Sequence, residues 1–302
     1  MSEQVRIVEV GARDGLQNQP VAVSTADKVR LIEMLVDAGI THIEAGAFVS
    51  PKWIPMMADS AQVLAQLNLK PGVTYSVLTP NVKGMEAALA SPANEVAVFV
   101  AASESFSQRN TNCSIDVAFE RAAPVLNMAR EAGIRVRGYI SCVLGCPYEG
   151  DDIDPGMVAD MTARLLDMGC FEVSLGDTIG RGTPAKAKRL IETVSLQADT
   201  SKLAAHFHNT YGQAIANLYA VLEAGVRVID SSVAGLGGCP YAQGATGNVA
   251  TEDVLYLLDG LGMNTGIDME KMLDAAAFIQ EVTGAPVASN TASALLKKRL
   301  VS

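Results

Sequence analysis

The segment Ala205-His206-Phe207-His208-Asn209-Thr210 holds two of the chain's three histidines, one residue apart, at the end of an apolar run. In a β-strand successive side chains point to opposite faces, so both imidazoles emerge on one side. Imidazole is the commonest protein metal ligand, and this pair can grip a single ion. A second chemical segment, Glu9-Val10-Gly11-Ala12-Arg13-Asp14-Gly15, sets an Arg-Asp pair directly after another apolar run. Asp-Gly alone would favour a turn. Beside Arg13 and opposite a histidine strand, Asp14 reads as functional. Glu44 falls inside the apolar run Ile43-Glu44-Ala45. A buried carboxylate needs a partner, and Arg13 is the obvious one, either as a structural ion pair or so that Glu44 aims the guanidinium at a substrate. The late loop Gly235-Leu236-Gly237-Gly238-Cys239-Pro240-Tyr241-Ala242-Gln243-Gly244-Ala245-Thr246-Gly247-Asn248 fits neither the P-loop nor the dinucleotide spacing. It reads as a flap that carries Cys239 over the site, where access and polar surroundings suit a reactive thiol. His42 shares a face with Glu44 but lies nearer the start of its strand, and reads as a packing residue.

Eight short apolar runs could position these groups: Val5–Gly11, His42–Phe48, Val73–Leu78, Glu95–Ala101, Arg135–Cys142, Phe171–Leu175, Leu203–His208 and Arg227–Ser232. Between them lie amphipathic segments, among them Ala26–Ala38, Met57–Leu67, Val117–Ala132, Pro155–Met168, Ala185–Leu196 and Gln213–Ala224. In the first, Val29, Leu31, Ile32, Leu35 and Val36 form an apolar stripe at helical spacing. A glycine recurs at helix ends, at Gly39, Gly133, Gly169 and Gly225, where the left-handed conformation stops a helix. Strand, helix and glycine stop repeated eight times predict an α/β fold, a (β/α)8 TIM barrel. An open doubly wound sheet is the alternative. The barrel is expected over about 5–262, with C-terminal helices at Met269–Thr283 and Ser293–Leu300 in an extension over about 266–302. The whole is read as a single catalytic domain. Barrel active sites form at the C-terminal strand ends. Asp14, Glu44, Ser174, Asp177, His206, His208 and the cysteine loop all fall there.

Composition narrows the partners. A net charge of −10 argues against a nucleic-acid surface built from clustered Lys and Arg. Five cysteines in 302 residues imply no disulfide framework. Cys142 and Cys146 lack a second Cys/His pair at zinc spacing and read as buried thiols. With no signal-like segment and no apolar stretch long enough to span a bilayer, the expected location is cytoplasmic.

Together, Val8-Glu9-Val10-Gly11-Ala12-Arg13-Asp14-Gly15-Leu16-Gln17-Asn18, Phe48-Val49-Ser50-Pro51-Lys52-Trp53, Gly176-Asp177-Thr178-Ile179-Gly180, His206-Phe207-His208-Asn209 and the cysteine loop resemble the DRE-TIM metallolyase family over essentially the full chain. The cysteine loop and the Gln17 context are particular to its carbon–carbon lyase branch. The resemblance implies a divalent cation, Mg²⁺ or Mn²⁺, held by Asp14, His206, His208 and Asn248. It implies an acyl-CoA substrate, 3-hydroxy-3-methylglutaryl-CoA, cleaved to acetyl-CoA and acetoacetate. Expected catalytic residues are Arg13, Asp14, Glu44, Asp177, His206 and Cys239. Expected substrate contacts are Arg13, Gln17, Lys52 and Ser174, with Lys52 toward the CoA phosphates. A homo-oligomer, most simply a dimer, is the expected assembly. Gly46 and Ala47 stand where relatives carry hydroxyl residues, and Met56 where a polar residue is common. Those departures border the expected substrate face and bear on acyl preference, not on reaction class. The rivals are a condensing synthase of the same superfamily, an iron oxygenase with a facial triad of two histidines and a carboxylate, and a non-enzymatic binding barrel.

Overall fold

A computed structural model describes residues 3–238 and 247–299. Eight strands pair in sequence order, all parallel, and the first closes on the last. They are β1 (Arg6–Glu9), β2 (His42–Ala47), β3 (Thr74–Leu78), β4 (Glu95–Ala101), β5 (Arg135–Ser141), β6 (Glu172–Asp177), β7 (Leu203–Phe207) and β8 (Val228–Ser231). The helices are α1 (Thr25–Asp37), α2 (Ser60–Gln66), α3 (Val82–Leu89), α4 (Glu104–Thr111), α5 (Ile115–Ala132), α6 (Pro155–Met168), α7 (Pro184–Val194), α8 (Ala214–Glu223), α9 (Thr251–Gly260), α10 (Met269–Thr283) and α11 (Asn290–Arg299). The closed order establishes the (β/α)8 barrel and removes the open-sheet alternative. Among the described residues, no helix is long and apolar enough to cross a membrane.

Local chemistry explains the repeat. The Ser24 side chain accepts from the Asp27 amide and starts α1. This satisfies a backbone donor that would otherwise have no partner. Leu31, Ile32 and Leu35 of α1 are fully buried, as is Ile43 of β2. Each such side chain contributes roughly 1.5–3 kcal/mol by leaving water. Gly39, Gly133, Gly169 and Gly225 all take positive φ, as the sequence pattern predicts.

Three helices lack a counterpart in the sequence reading. They are α3, α9 and α4, the last mostly polar and without an apolar stripe. α2 begins at Ser60, because Pro55–Met57 forms a separate 3-10 turn. β1 is shorter than the apolar run: Glu9 is its last residue, and Gly11–Gly15 forms a single π-helical turn that carries Arg13 and Asp14.

Two features shape the mouth of the barrel. The register of β2 against β3 shifts between Glu44 and Gly46, a bulge in an otherwise regular pairing. A side chain at position 46 would meet Ser60 Oγ of α2 at 2.6 Å, so that position faces the outer helix. This corrects the expectation that Gly46 borders the substrate: the bulge reverses the alternation beyond Glu44. The C-terminal extension also does more than decorate the barrel. α10 packs on α1 and on the turn Val233–Gly235, α11 packs on α9, and the Ala288 amide donates to the Ala234 carbonyl at 2.9 Å.

Candidate active site

The π-helical turn after β1 and the end of β7, with only β8 between their strands, meet at the barrel mouth. His206 and His208 project to the same side, as their strand spacing requires, with ring centroids 5.5 Å apart. The Nε2 atoms of both lie 3.9 Å from Asp14 Oδ2. Among the described residues these three side chains form a cluster able to hold a metal, with donor atoms all within 4.8 Å of one another. Asn248 joins them. Its Nδ2 donates to Asp14 Oδ2 at 2.8 Å, and its chain pairs antiparallel with His208. The buried Asn248 Oδ1 has no hydrogen-bond partner among the described residues. An unpartnered buried acceptor is costly, and a cation beside Asp14 would supply the missing partner. The donor set therefore fits a divalent ion, with two oxygens and two imidazole nitrogens spanning the preferences of Mg²⁺ and Mn²⁺.

The charges around the cluster are set by burial and by neighbours. Burial raises the Asp14 carboxyl, but Arg13, His206, His208 and the Asn248 hydrogen bond outweigh it and hold Asp14 down at about 2. His208 is pushed down to about 4, by burial and then by His206. Those two shifts favour carboxylate and neutral imidazole, the forms that bind a cation, whereas His206 is raised, against burial, by Asp230 and Asp14.

Arg13 is 6% exposed and held at three nitrogens. Its Nε and NH2 meet Glu44 Oε2 at 2.7 and 2.6 Å, and NH1 donates to Asp14 Oδ1 at 2.6 Å. Gln17 Nε2 donates to the same Asp14 oxygen at 2.9 Å. The predicted Arg13–Glu44 pair is therefore present, and Glu44 fixes the direction of the guanidinium.

The remaining predicted residues have other partners, though Asp177 stays on the rim, where its carbonyl accepts the His208 amide at 3.3 Å. Asp177 ends β6, but its carboxylate accepts the Arg181 and Gly182 amides at 3.1 and 2.8 Å, organising the loop into α7. Burial pushes it up to about 6 against those bonds. Ser174 does not reach the rim. It lies three residues before the end of β6, about 10 Å deeper at strand rise, fully buried, with its hydroxyl donated to Asp230. Lys52 is exposed in the loop after β2. His42 sits at the opposite end of the barrel, half-buried, with its Nδ1 3.0 Å from the Thr41 hydroxyl. Cys142 and Cys146 are buried and not in a disulfide. Cys239 lies outside the described residues, with the rest of the loop through 246.

A chain of charges inside the barrel, buried at Arg137, Glu172 and Asp230 and half-buried at Arg6, escaped the sequence reading. Arg137 of β5 donates to Glu172 at 2.8 Å and to both oxygens of Asp230 at 2.9 and 2.7 Å. Asp230 of β8 lies 3.2 Å from His206 Nδ1. Arg6 pairs with the other oxygen of Glu172. The available signal was a charged residue within an apolar strand, the same signal that singled out Glu44.

The roots of the late loop are fixed. Glu9 accepts the Gly11 and Val233 amides and the Thr251 hydroxyl, and Glu252 accepts the Ala234 amide. Ala234 takes a left-handed φ of 58° there. A methyl group at position 247 would lie 2.3 Å from Gly237 Cα, so the two legs of the loop meet backbone to backbone.

A closed parallel barrel whose carboxyl-end rim gathers Asp14, His206, His208 and Asn248 beside buried Arg13 defines the class, a (β/α)8 barrel with a candidate metal centre at its active-site end. The HMGL-like family profile matches residues 4–279, and the chain belongs to that family. It is 59% identical over 298 residues to 3-hydroxy-3-isohexenylglutaryl-CoA/hydroxy-methylglutaryl-CoA lyase of Pseudomonas aeruginosa, covering 99% of each chain. It is 56% identical over 295 residues to mitochondrial hydroxymethylglutaryl-CoA lyase of Bos taurus, covering 98% of this chain and 90% of that one. The crystal structure of hydroxymethylglutaryl-CoA lyase from Pseudomonas aeruginosa superposes with a TM-score of 0.96, 59% identity and 99% coverage of both chains.

Proposed function

We propose that the chain is a divalent-metal-dependent carbon–carbon lyase that cleaves 3-hydroxy-3-methylglutaryl-CoA to acetyl-CoA and acetoacetate. The observation that carries this reading is the convergence of Asp14, His206, His208 and Asn248 beside Arg13, in a chain 59% identical to a lyase named for this substrate. The full-length match to lyases favours cleavage over the condensing reaction of the superfamily.

Asp14, His206, His208 and Asn248 would hold Mg²⁺ or Mn²⁺, which supplies Lewis acidity toward a substrate oxygen. The tertiary hydroxyl loses its proton to Asp14 or a site histidine. The electron pair on that oxygen forms the ketone of acetoacetate as the adjacent carbon–carbon bond breaks. Negative charge then gathers on the thioester oxygen of the departing enolate. Arg13, aimed by Glu44, meets that charge. Cys239 gives its proton to the enolate carbon and completes acetyl-CoA. The whole chain is read as one catalytic domain, assembled as a homodimer.

The bacterial relative is also named for a 3-hydroxy-3-isohexenyl substrate, with a longer substituent on the carbinol carbon. Both thioesters belong in the test. Purified protein with 3-hydroxy-3-methylglutaryl-CoA is expected to release acetoacetate and acetyl-CoA in equal amounts. A chelator abolishes the reaction, and Mg²⁺ or Mn²⁺ restores it. Full turnover in chelator, or no cleavage of either thioester with the metal present, overturns the reading.

A further inference from the structure

We propose that Asp230, gripped by Arg137 and Ser174, is a positioning residue: it holds His206 with its proton on Nδ1, so that Nε2 offers a lone pair to the cation. The inference rests on the reading of Asp14, His206 and His208 as a cation site, and it concerns how this chain prepares one of those ligands.

The geometry is asymmetric between the two histidines. His206 Nδ1 lies 3.2 Å from Asp230 Oδ2, and its Nε2 lies on the side of Asp14. His208 Nδ1 is buried with no hydrogen-bond partner among the described residues. An ionised carboxylate only accepts hydrogen bonds, so Asp230 requires a proton on the nitrogen that faces it. A neutral imidazole then has its lone pair on the other nitrogen. The His206 ring also packs nearly perpendicular to Tyr139, with ring centroids 6.0 Å apart at 80°. That contact hinders the ring flip that would exchange the two nitrogens.

Asp230 is itself immobilised. It is 1% exposed and receives four hydrogen bonds, two from Arg137, one from Ser174 and one from His206. Arg137, fully buried, also donates to the Tyr139 hydroxyl at 2.9 Å and to Glu172, and Glu172 is paired in turn with Arg6. A column of alternating charge therefore runs up the barrel axis from the amino-terminal end to His206. A plain structural role would need Asp230 only to neutralise Arg137. The bond to a histidine at the site adds the orienting role. Carboxylates behind metal-bound histidines generally act this way, and losing one costs roughly 10- to 100-fold in metal affinity.

The test uses the full chain, Mn²⁺ titration calorimetry, and nitrogen-15 histidine NMR of the Mg²⁺-loaded protein. With three histidines in the chain, the spectrum holds three ring systems, and a His206→Gln sample assigns one of them. The unaltered protein is expected to show His206 protonated on Nδ1, with a proton shifted downfield by a carboxylate, and bare on Nε2. Asp230→Asn is expected to weaken Mn²⁺ binding about 10- to 100-fold and to lose the downfield proton. His206 protonated on Nε2 in the unaltered protein overturns the proposal, even if the variant fails to fold. So does a folded Asp230→Asn protein whose Mn²⁺ affinity stays within about threefold of the original, on the same magnitude scale. Both of those results leave the cation site standing. No Mn²⁺ binding by the unaltered protein overturns the cation site and this inference together.

Discussion

Arg13 is committed to two carboxylates at once, and this makes its replacement informative only in pairs. Arg13→Met alone removes the charge facing the thioester oxygen and strands Glu44 inside the protein. The first loss is expected to lower kcat/KM by at least about 100- to 1000-fold. The second costs about 3–5 kcal/mol of stability. Adding Glu44→Gln is expected to recover much of the stability and none of the rate, read by urea melts and steady-state kinetics. Near-original turnover in the folded double variant would refute the role of Arg13. For Cys239→Ser, kcat is expected to fall far more than KM changes, because the acid acts after the bond has broken. A change confined to KM would remove Cys239 from the proton-transfer step.

The residues that were legible in the sequence were those whose meaning depends on local parity or on a partner at the next strand. His206 and His208 had to share a face, and they do. Glu44 needed a cation nearby, and Arg13 is it. Asp230 and Arg137 follow the same logic, but their partners are 93 positions apart. Nothing in either strand alone says which residue will face it across the closed barrel. Gly46 was misplaced for a different reason. Strict alternation fails at a bulge, and the signature it left in Glu44-Ala45-Gly46, a glycine inside a strand, was not used.

At the scale of elements, the glycine stops were readable because each precedes a β-branched or apolar residue that opens the next strand. The short polar helix α4 was not, since its stability comes from a serine cap and from packing. The late loop supplies a direct test. Gly247 presses against Gly237, and its carbonyl accepts from the Asn209 amide. Gly247→Ala must separate the two legs and carry Asn248 with them. The expected result is a loss of Mn²⁺ affinity of tenfold or more, of the size seen when a ligand's supporting contacts are disturbed, with the barrel's circular dichroism intact. Unchanged binding would show that Asn248 does not depend on that crossing.

The molecule as a whole stores two buried acids at the foot of the loop. Burial pushes Glu252 up to about 8 and Glu9 to about 7, against an ordinary 4.5. A raised acid keeps its proton in the folded state and gives it up in the unfolded one. Between pH 4.5 and 8 the folded state therefore binds more protons, and stability falls as pH rises. The contribution of Glu252 is fully present below about pH 4.5 and is lost as pH climbs through 8. Glu252→Gln has no such titration. The stability of the original protein relative to the variant is expected to drop between pH 5 and pH 9 by as much as a few kcal/mol, measured by urea unfolding without metal. A difference independent of pH would mean that Glu252 is ionised throughout.

The extra residue in β2 divides one wall of the barrel into two independent registers. Up to Glu44 the strand answers to Arg13, while past it Gly46 is fitted to α2 through Ser60. A side chain added at 46 would strike that helix first, and Ser60 Oγ, which accepts from the Ala47 amide at 3.0 Å, would pass the displacement to the rim. Drift in the helical coat can thus retune the entrance while the guanidinium and its anchor stay in place.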